Sequence, residues 1–443
     1  MSYQRLLPRY HSIEHSGVQL PNEGQNWLDG KKRSVHSRWQ NHQQAVQKLS
    51  QLLEQYQWTW PSKTVYFFSD LHADADALTA SLIASGGVKV RGKKHRRFKL
   101  TKQGKQAQFL IGGDCFDKGP SNLELLRTLS RLHHSGARMR LLAGNHDVRV
   151  MLGMRSVNRD DALECKHFFV RMGPKAVPFL SEINDSYLSA PHSLSGVPDT
   201  AQCKQRLFPP EQWFDVFPLK AAGLLPDKMI EKEMQRITEK RQDFEMRCDE
   251  NGLSPRRAYA AALQWQRLFL RNSGEFSWFF KHMRLALRKG SFLFIHAGLD
   301  NHIANLIRKK GVKALNREFN KQLQGDPMRF YYGSLANTIR TKYRASDKHL
   351  TTAGARQVHE KDMHVIIHGH KSMLNGQRVS LRQSIVNFEC DVTLDRHSRQ
   401  RDGLKGPGAG VTIVRPDKKI IGISTDHPYV KVFDPDDLGQ SGV

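Results

Sequence analysis

Five apolar runs in this chain end in side chains that bind cations or move protons. "FFSDLHAD" ends in Asp70 and His72, and "FLIGGDCFD" ends in Asp114 and Asp117. "RLLAGNHD" ends in Asn145, His146 and Asp147, "FLFIHAG" in His296, and "VIIHGHK" in His368 and His370. A lone Asp after a strand is usually a turn former or a helix cap, and a lone His there is usually just hydrogen-bonded. Five successive runs with the same mixed nitrogen and oxygen chemistry do not fit that explanation. Imidazole with carboxylate and amide oxygen suits Mn, Fe, Zn or Co. A carboxylate shared by two such ions holds them roughly 3.5–4 Å apart, a spacing suited to phosphoryl oxygens.

Short buried strands are the elements that must carry these side chains. "TVYFF", "QAQFLIG", "RMRLLAG", "SFLFIHAG", "MHVIIHG", "SIVNFEC", "GVTIV" and "KIIGIS" are rich in β-branched and aromatic residues and bounded by Gly, Asp or His. The first three alternate with helix-like segments at 73–84, 121–135 and 146–155, which is an α/β pattern. Ligands in open α/β sheets bind at the carboxyl ends of the strands, where the five runs deliver their polar groups.

In order, Asp70-x-His72, the Gly113–Gly119 block, the Gly144–Asp147 block, His296 to Gly298 and Gly369-His370 match a known signature. The chain resembles the calcineurin-like metallophosphoesterases, and within them the branch of phosphoprotein phosphatases and diadenosine-tetraphosphate hydrolases. The resemblance covers roughly residues 62–155 and 290–425. It implies an α/β fold, a β-sandwich of two sheets flanked by helices, with a large helical insertion and an N-terminal helical arm. It further implies two divalent ions, Mn2+ with Fe or Zn as alternatives, and a hydroxide bridging them as nucleophile. Asp70 and His72 would hold the first ion, Asp114 would bridge, and Asn145, His296 and His370 would hold the second. His146 would protonate the leaving oxygen with Asp117 orienting it, while Lys118 and Asn145 would contact the phosphate. The sequence departs from the pattern at two points. No histidine lies two residues after His370, and Lys118 stands where the branch usually has arginine, supplying charge without a planar fork. The role of His368 is left open.

This organisation divides the chain into an arm and amphipathic helix at 1–60, the phosphoesterase domain at 61–155 and 290–430, and a helical cap at 156–289. Within the arm, Trp39, Val46, Leu49, Leu53 and Tyr56 recur at helical steps. Residues 88–105 hold nine Lys/Arg and no acid, and read as an exposed basic hairpin turning at Gly92.

The 443 residues carry a net charge of +26, a field that attracts anionic substrates or polyanions. Five widely spaced cysteines form no CxxC pair, and no segment has the length of a membrane span. The expected setting is reducing and cytoplasmic, without a membrane partner. The reading that follows is hydrolysis of a phosphate monoester on a small molecule or a protein. The alternatives are a dinucleoside polyphosphate hydrolase and a nuclease that grips nucleic acid through the basic hairpin.

Overall fold

The computed structural model describes residues 3–28, 36–90, 97–159 and 162–438, with side chains from 44 onward in the second stretch. Fifteen strands are described. Gly24–Asn26 (β1), Val65–Phe68 (β2), Val88–Val90 (β3), Phe98–Leu100 (β4), Gln108–Ile111 (β5) and Arg138–Leu142 (β6) come first. Met283–Arg284 (β7), Ala286–Lys289 (β8), Phe292–Ile295 (β9) and Val365–His368 (β10) follow the long helical region. Arg378–Arg382 (β11), Ile385–Glu389 (β12), Gly410–Val414 (β13), Ile420–Ser424 (β14) and Val430–Phe433 (β15) complete the chain.

Thirteen of them form one eight-stranded sheet, ordered β1-β15-β14-β13-β2-β5-β6-β7, and one five-stranded sheet, ordered β11-β12-β10-β9-β8, while β3 and β4 pair separately. In "VYFF" all four side chains are buried, so each strand face needs a cover. Val65 and Phe67 point into a core shared with Phe292, Phe294, Val365 and Ile367 of the other sheet. Tyr66 and Phe68 pack on the opposite face, together with Leu78 and Leu82 of helix Ala75–Ala84. The expected two-sheet sandwich flanked by helices is therefore the fold observed. Strands β2, β5 and β6 run parallel in one sheet, as do β9, β10 and β12 in the other.

Helices occupy most of the chain from His167 to His282, between β6 and β7. Their core is aromatic, and Phe116, from the loop after β5, is part of it. The Phe116 ring lies 5.3 Å from Phe179, 5.1 Å from Phe279 and 6.0 Å from Phe269 between centroids. The helical region is thereby pinned to the loop that carries Asp114 and Asp117.

The N-terminal segment lies against the sandwich. Strand β1 pairs with β15, and Trp27 packs on Phe388. The amphipathic helix runs His36–Gln55 with Leu49 and Leu52 buried. The side chain of Trp39 lies outside the described residues. In the basic segment β3 and β4 pair antiparallel, with Val88 and Leu100 turned inward. Residues Lys102–Gln106 form a short helix capped by the Thr101 hydroxyl. The turn at Gly92 lies outside the described residues. No helix among the described residues is long and apolar enough to cross a membrane.

Candidate active site

Where β2, β5 and β10 end, the backbone bends sharply. Asp70, His72, Asp114, Asp117, Lys118 and His370 all have left-handed φ, between 41° and 69°. Such conformations cost of order 1–3 kcal/mol each and persist only where surroundings enforce them. Two glycines show how close the segments lie. A Cβ on Gly144 would meet Asp114 Oδ1 at 2.2 Å, and one on Gly369 would meet Asp70 Oδ2 at 2.1 Å. These positions admit no side chain.

The turns bring the polar ends together. His72, Asp114 and His146 each place a ligand atom within 4.8 Å of the others, and so do Asp114, His296 and His370. Asp114 belongs to both groups. Its Oδ2 lies 3.4 Å from His296 Nε2 and 3.9 Å from both His72 Nε2 and His146 Nε2. The Asn145 side-chain amide ends among these groups, its Oδ1 3.3 Å from His296 Nε2. Asp70 borders the first group, its Oδ1 3.9 Å from His72 Nε2, while its Oδ2 accepts from the Ser69 hydroxyl and the His370 N–H.

The donor set fits divalent cations. His72 Nδ1 donates to the Phe116 carbonyl (3.1 Å), His296 Nδ1 to that of Gly112 (2.8 Å), and His370 Nε2 to that of Arg340 (2.9 Å). Each imidazole thus has one nitrogen fixed by a backbone carbonyl and presents the other inward, as metal-ligating histidines do. Burial works against a carboxylate at Asp114, but His296 and His146 outweigh it and hold its pKa well below the usual range. Burial also works against an imidazolium at His296, yet Asp114 prevails and pushes its pKa up to about 10. Asp70 is pushed up to about 8 by burial and by the neighbouring Asp391. Burial and the repulsion of His296 hold His370 down near 3, so it stays neutral.

His146 has a separate partner. Its Nδ1 donates to Asp117 Oδ2 at 2.7 Å, and Arg149 Nη2 lies 3.2 Å from the same carboxylate oxygen. Burial, with Arg149 adding to it, lowers the His146 pKa despite Asp114. Lys118 Nζ rests 2.6 Å from His72 Nε2, on the inward lone pair. Any cation held by His72 must therefore displace the Lys118 ammonium toward incoming anion.

His368 is in neither group. The strand ends at His368 and His370 is left-handed, so the two-residue period that would align them is broken. His368 sits opposite Glu389 of β12, and burial lowers its pKa to about 4.

Two acids carry more than sequence reasoning gave them. Asp147 accepts from the backbone N–H groups of Asp114 (2.9 Å), Cys115 (2.8 Å) and Gly144 (3.0 Å), so it clamps the β5 loop to the β6 turn. Its place in the "GNHD" block was visible, its use was not. Asp391, just after β12, is buried beside the site, accepts from Ser372 Oγ at 3.1 Å and faces Asp70 and Lys118. A sixth apolar run ending in an acid, "SIVNFECD", was the available signal.

Two parallel sets of strands thus converge histidines and carboxylates into two candidate metal-ligand groups that share Asp114. The calcineurin-like phosphoesterase family model matches residues 63–240. The match indicates a phosphoric ester hydrolase, and the matched family is metal-dependent. The match ends before β9 and β10, which bring His296 and His370. No curated protein matches the chain. Among solved structures it is similar to a cold-active protein-tyrosine phosphatase of a psychrophilic Shewanella species, at 12% identity over 84% of this chain and 80% of that one, with a TM-score of 0.43. It is also similar to a protein serine/threonine phosphatase from Saccharomyces cerevisiae, at 13% identity over 91% of each chain, with a TM-score of 0.36.

Proposed function

We propose that the chain hydrolyses phosphate monoesters, with His146 as the proton donor to the leaving oxygen. The observation that carries this reading is the pair of His/Asp groups sharing Asp114, with the His146–Asp117 couple 2.7 Å apart at its edge. Asp70, His72 and Asp114 would hold one divalent cation, and Asp114, Asn145, His296 and His370 a second. Mn2+ suits this donor set, with Fe or Zn as alternatives. Bound there, two cations neutralise charge on phosphoryl oxygens and acidify water.

The chain's own residues supply the rest. Asp117 fixes the His146 tautomer by accepting from Nδ1, which leaves Nε2 to carry the transferable proton. The carboxylate also offsets the imidazolium that must exist before that transfer. Asp147 holds the two loops in register so that Asp114 and His146 keep their spacing. Lys118, released from His72, reaches the phosphate as a point charge. Asn145 lies between the two histidines, where its amide can contact a phosphoryl oxygen as well as a cation. The five cysteines are free and buried, which supports a reducing, cytoplasmic setting.

The test supplies Mn2+ and compares an aryl phosphomonoester with a bis-aryl phosphodiester and a dinucleoside polyphosphate. Monoester hydrolysis at least tenfold faster in kcat/KM is expected, about 1.4 kcal/mol in the barrier. Faster diester cleavage, or release of nucleoside diphosphates, would replace this reading with one of its alternatives.

A further inference from the structure

One cavity lies between the helical region and the sandwich, immediately beyond His146. It encloses about 340 Å3 and is lined by Arg149, Arg171, Arg236 and Lys240, with Glu239 and Asp243 as the acids and Tyr331 as the aromatic wall. Arg236 and Lys240 come from helix Asp227–Glu250, Arg171 from helix His167–Arg171, and Arg149 from helix Asn145–Ser156. A volume of this size is in the range of small-ligand pockets, roughly 300–1,000 Å3.

The charge is unevenly balanced. Arg171 is matched by Glu233 at 3.0 Å and donates to the Tyr331 hydroxyl at 2.9 Å. Glu239 accepts from the Gln235 amide at 3.0 Å. Among the described residues, Arg236 and Lys240 make no ion pair, nor does Lys175 nearby. Lys240 is half-buried, while Lys175 is exposed. Burial and then the neighbouring guanidiniums lower both ammonium pKa values: Arg171 and Arg149 act on Lys240, and Arg149, with Lys118, on Lys175. Glu239 and Asp243 share the lining but pair with neither Arg236 nor Lys240, so two cations of the wall keep hydrogen-bonding capacity that an anion would use.

Its position relative to the chemistry is set by Arg149. The same guanidinium that lines the cavity lies 2.8 Å from His146 Nδ1 and 3.2 Å from Asp117 Oδ2. Lys175 faces Asp117 and Lys118 from the helical side. A proton donor sits on the leaving-group side of the scissile bond, so the leaving group must extend toward this cavity.

We propose that the cavity is a second anion subsite, and that the substrate is a small organophosphate whose leaving group carries a second phosphoryl group. This rests on the reading of His146 as proton donor. Lys240 and Arg236 grip the distal phosphate, and Arg149 spans the gap between it and the scissile one. Charge-assisted contacts are stronger than neutral hydrogen bonds, so the distal group should raise kcat/KM by about tenfold or more.

The test uses α,ω-alkanediol bisphosphates of increasing chain length against the matched monophosphates, with Mn2+ supplied. The wild-type chain is expected to prefer the bisphosphate at one or more lengths, by about tenfold or more. The double variant R236A/K240A should lose that preference while its kcat/KM for an aryl monophosphate stays within about twofold. Equal rates for mono- and bisphosphates at every length, or a double variant that keeps the preference, would overturn the proposal. Should the double variant fail to fold, Lys240→Gln replaces it with a smaller expected loss. An independent arm titrates inorganic pyrophosphate into chelator-treated protein by calorimetry. Binding that is present in the wild type and lost in the variant supports the subsite even where aryl phosphate proves to be no substrate, an outcome that sinks the monoesterase reading alone. Absence of pyrophosphate binding, with no bisphosphate preference, overturns the subsite.

Discussion

The sandwich and the helical region meet at the same site and treat charge in opposite ways. On the sandwich side, Asp70, His72, Asp114, Asp117, His146 and His296 are all buried, and each leans on a backbone group or another member of the set. On the helical side, among the described residues, Arg236 and Lys240 line a cavity without ion-pair partners, and Lys175 stands unpaired nearby. One surface is complete in itself and requires cations at its centre. The other leaves two cations unpaired, where the proposed subsite would take an anion. The contrast separates the chemical step from the choice of leaving group.

The comparison can be broken from the sandwich side first. Asp114→Asn removes the carboxylate common to both His/Asp groups. Turnover should fall by about three orders of magnitude, about 4 kcal/mol, and metal content should fall with it. Normal metal content by elemental analysis would mean that Asp114 is not the shared ligand. The mechanical link comes next. Phe116→Ala empties an aromatic slot in the helical core beside the metal loop, and a loss of about 3–5 kcal/mol in stability is expected by denaturant unfolding. A loss below 1 kcal/mol would show the two regions to be coupled elsewhere.

His146→Asn then separates proton transfer from metal binding. It should lower kcat by about 10²-fold or more with both ions retained, because general acid catalysis contributes that much. Loss of the ions in this variant would move His146 into the ligand set, where its closeness to His72 and Asp114 makes it a candidate. The smallest effect is expected at the boundary between the regions. Lys118→Ala should lower kcat/KM by about tenfold, about 1.4 kcal/mol, with metal content unchanged or higher, since its ammonium rests on His72. An unchanged kcat/KM would make Lys118 a turn residue only.

Much of the sandwich side was legible in the chain. Apolar runs ending in Asp, Asn or His report buried strands and their carboxyl ends in one stroke, because a strand in this layer has no polar face to spare. The clamp made by Asp147 was harder to read, since its partners are backbone N–H groups 3 to 33 residues away. Asp391 follows a sixth run of the same kind, but its contact with Asp70 joins residues more than 300 apart and no spacing announces it. Spacing could not place His368, whose alignment with His370 depends on a single left-handed residue. On the helical side, periodicity announces helices and a basic composition but not which lysines face one another.

The sequence by itself determined the ligand types, their order and their place at strand ends, because the two-residue strand period and glycine turns act over a few residues. Only the tertiary structure decided that Phe116 fastens the metal loop to the helical region and that Arg149, Arg236 and Lys240 share one cavity beside His146. Those contacts join side chains tens to more than a hundred residues apart, and packing across such distances is set by shape and burial that no local pattern encodes.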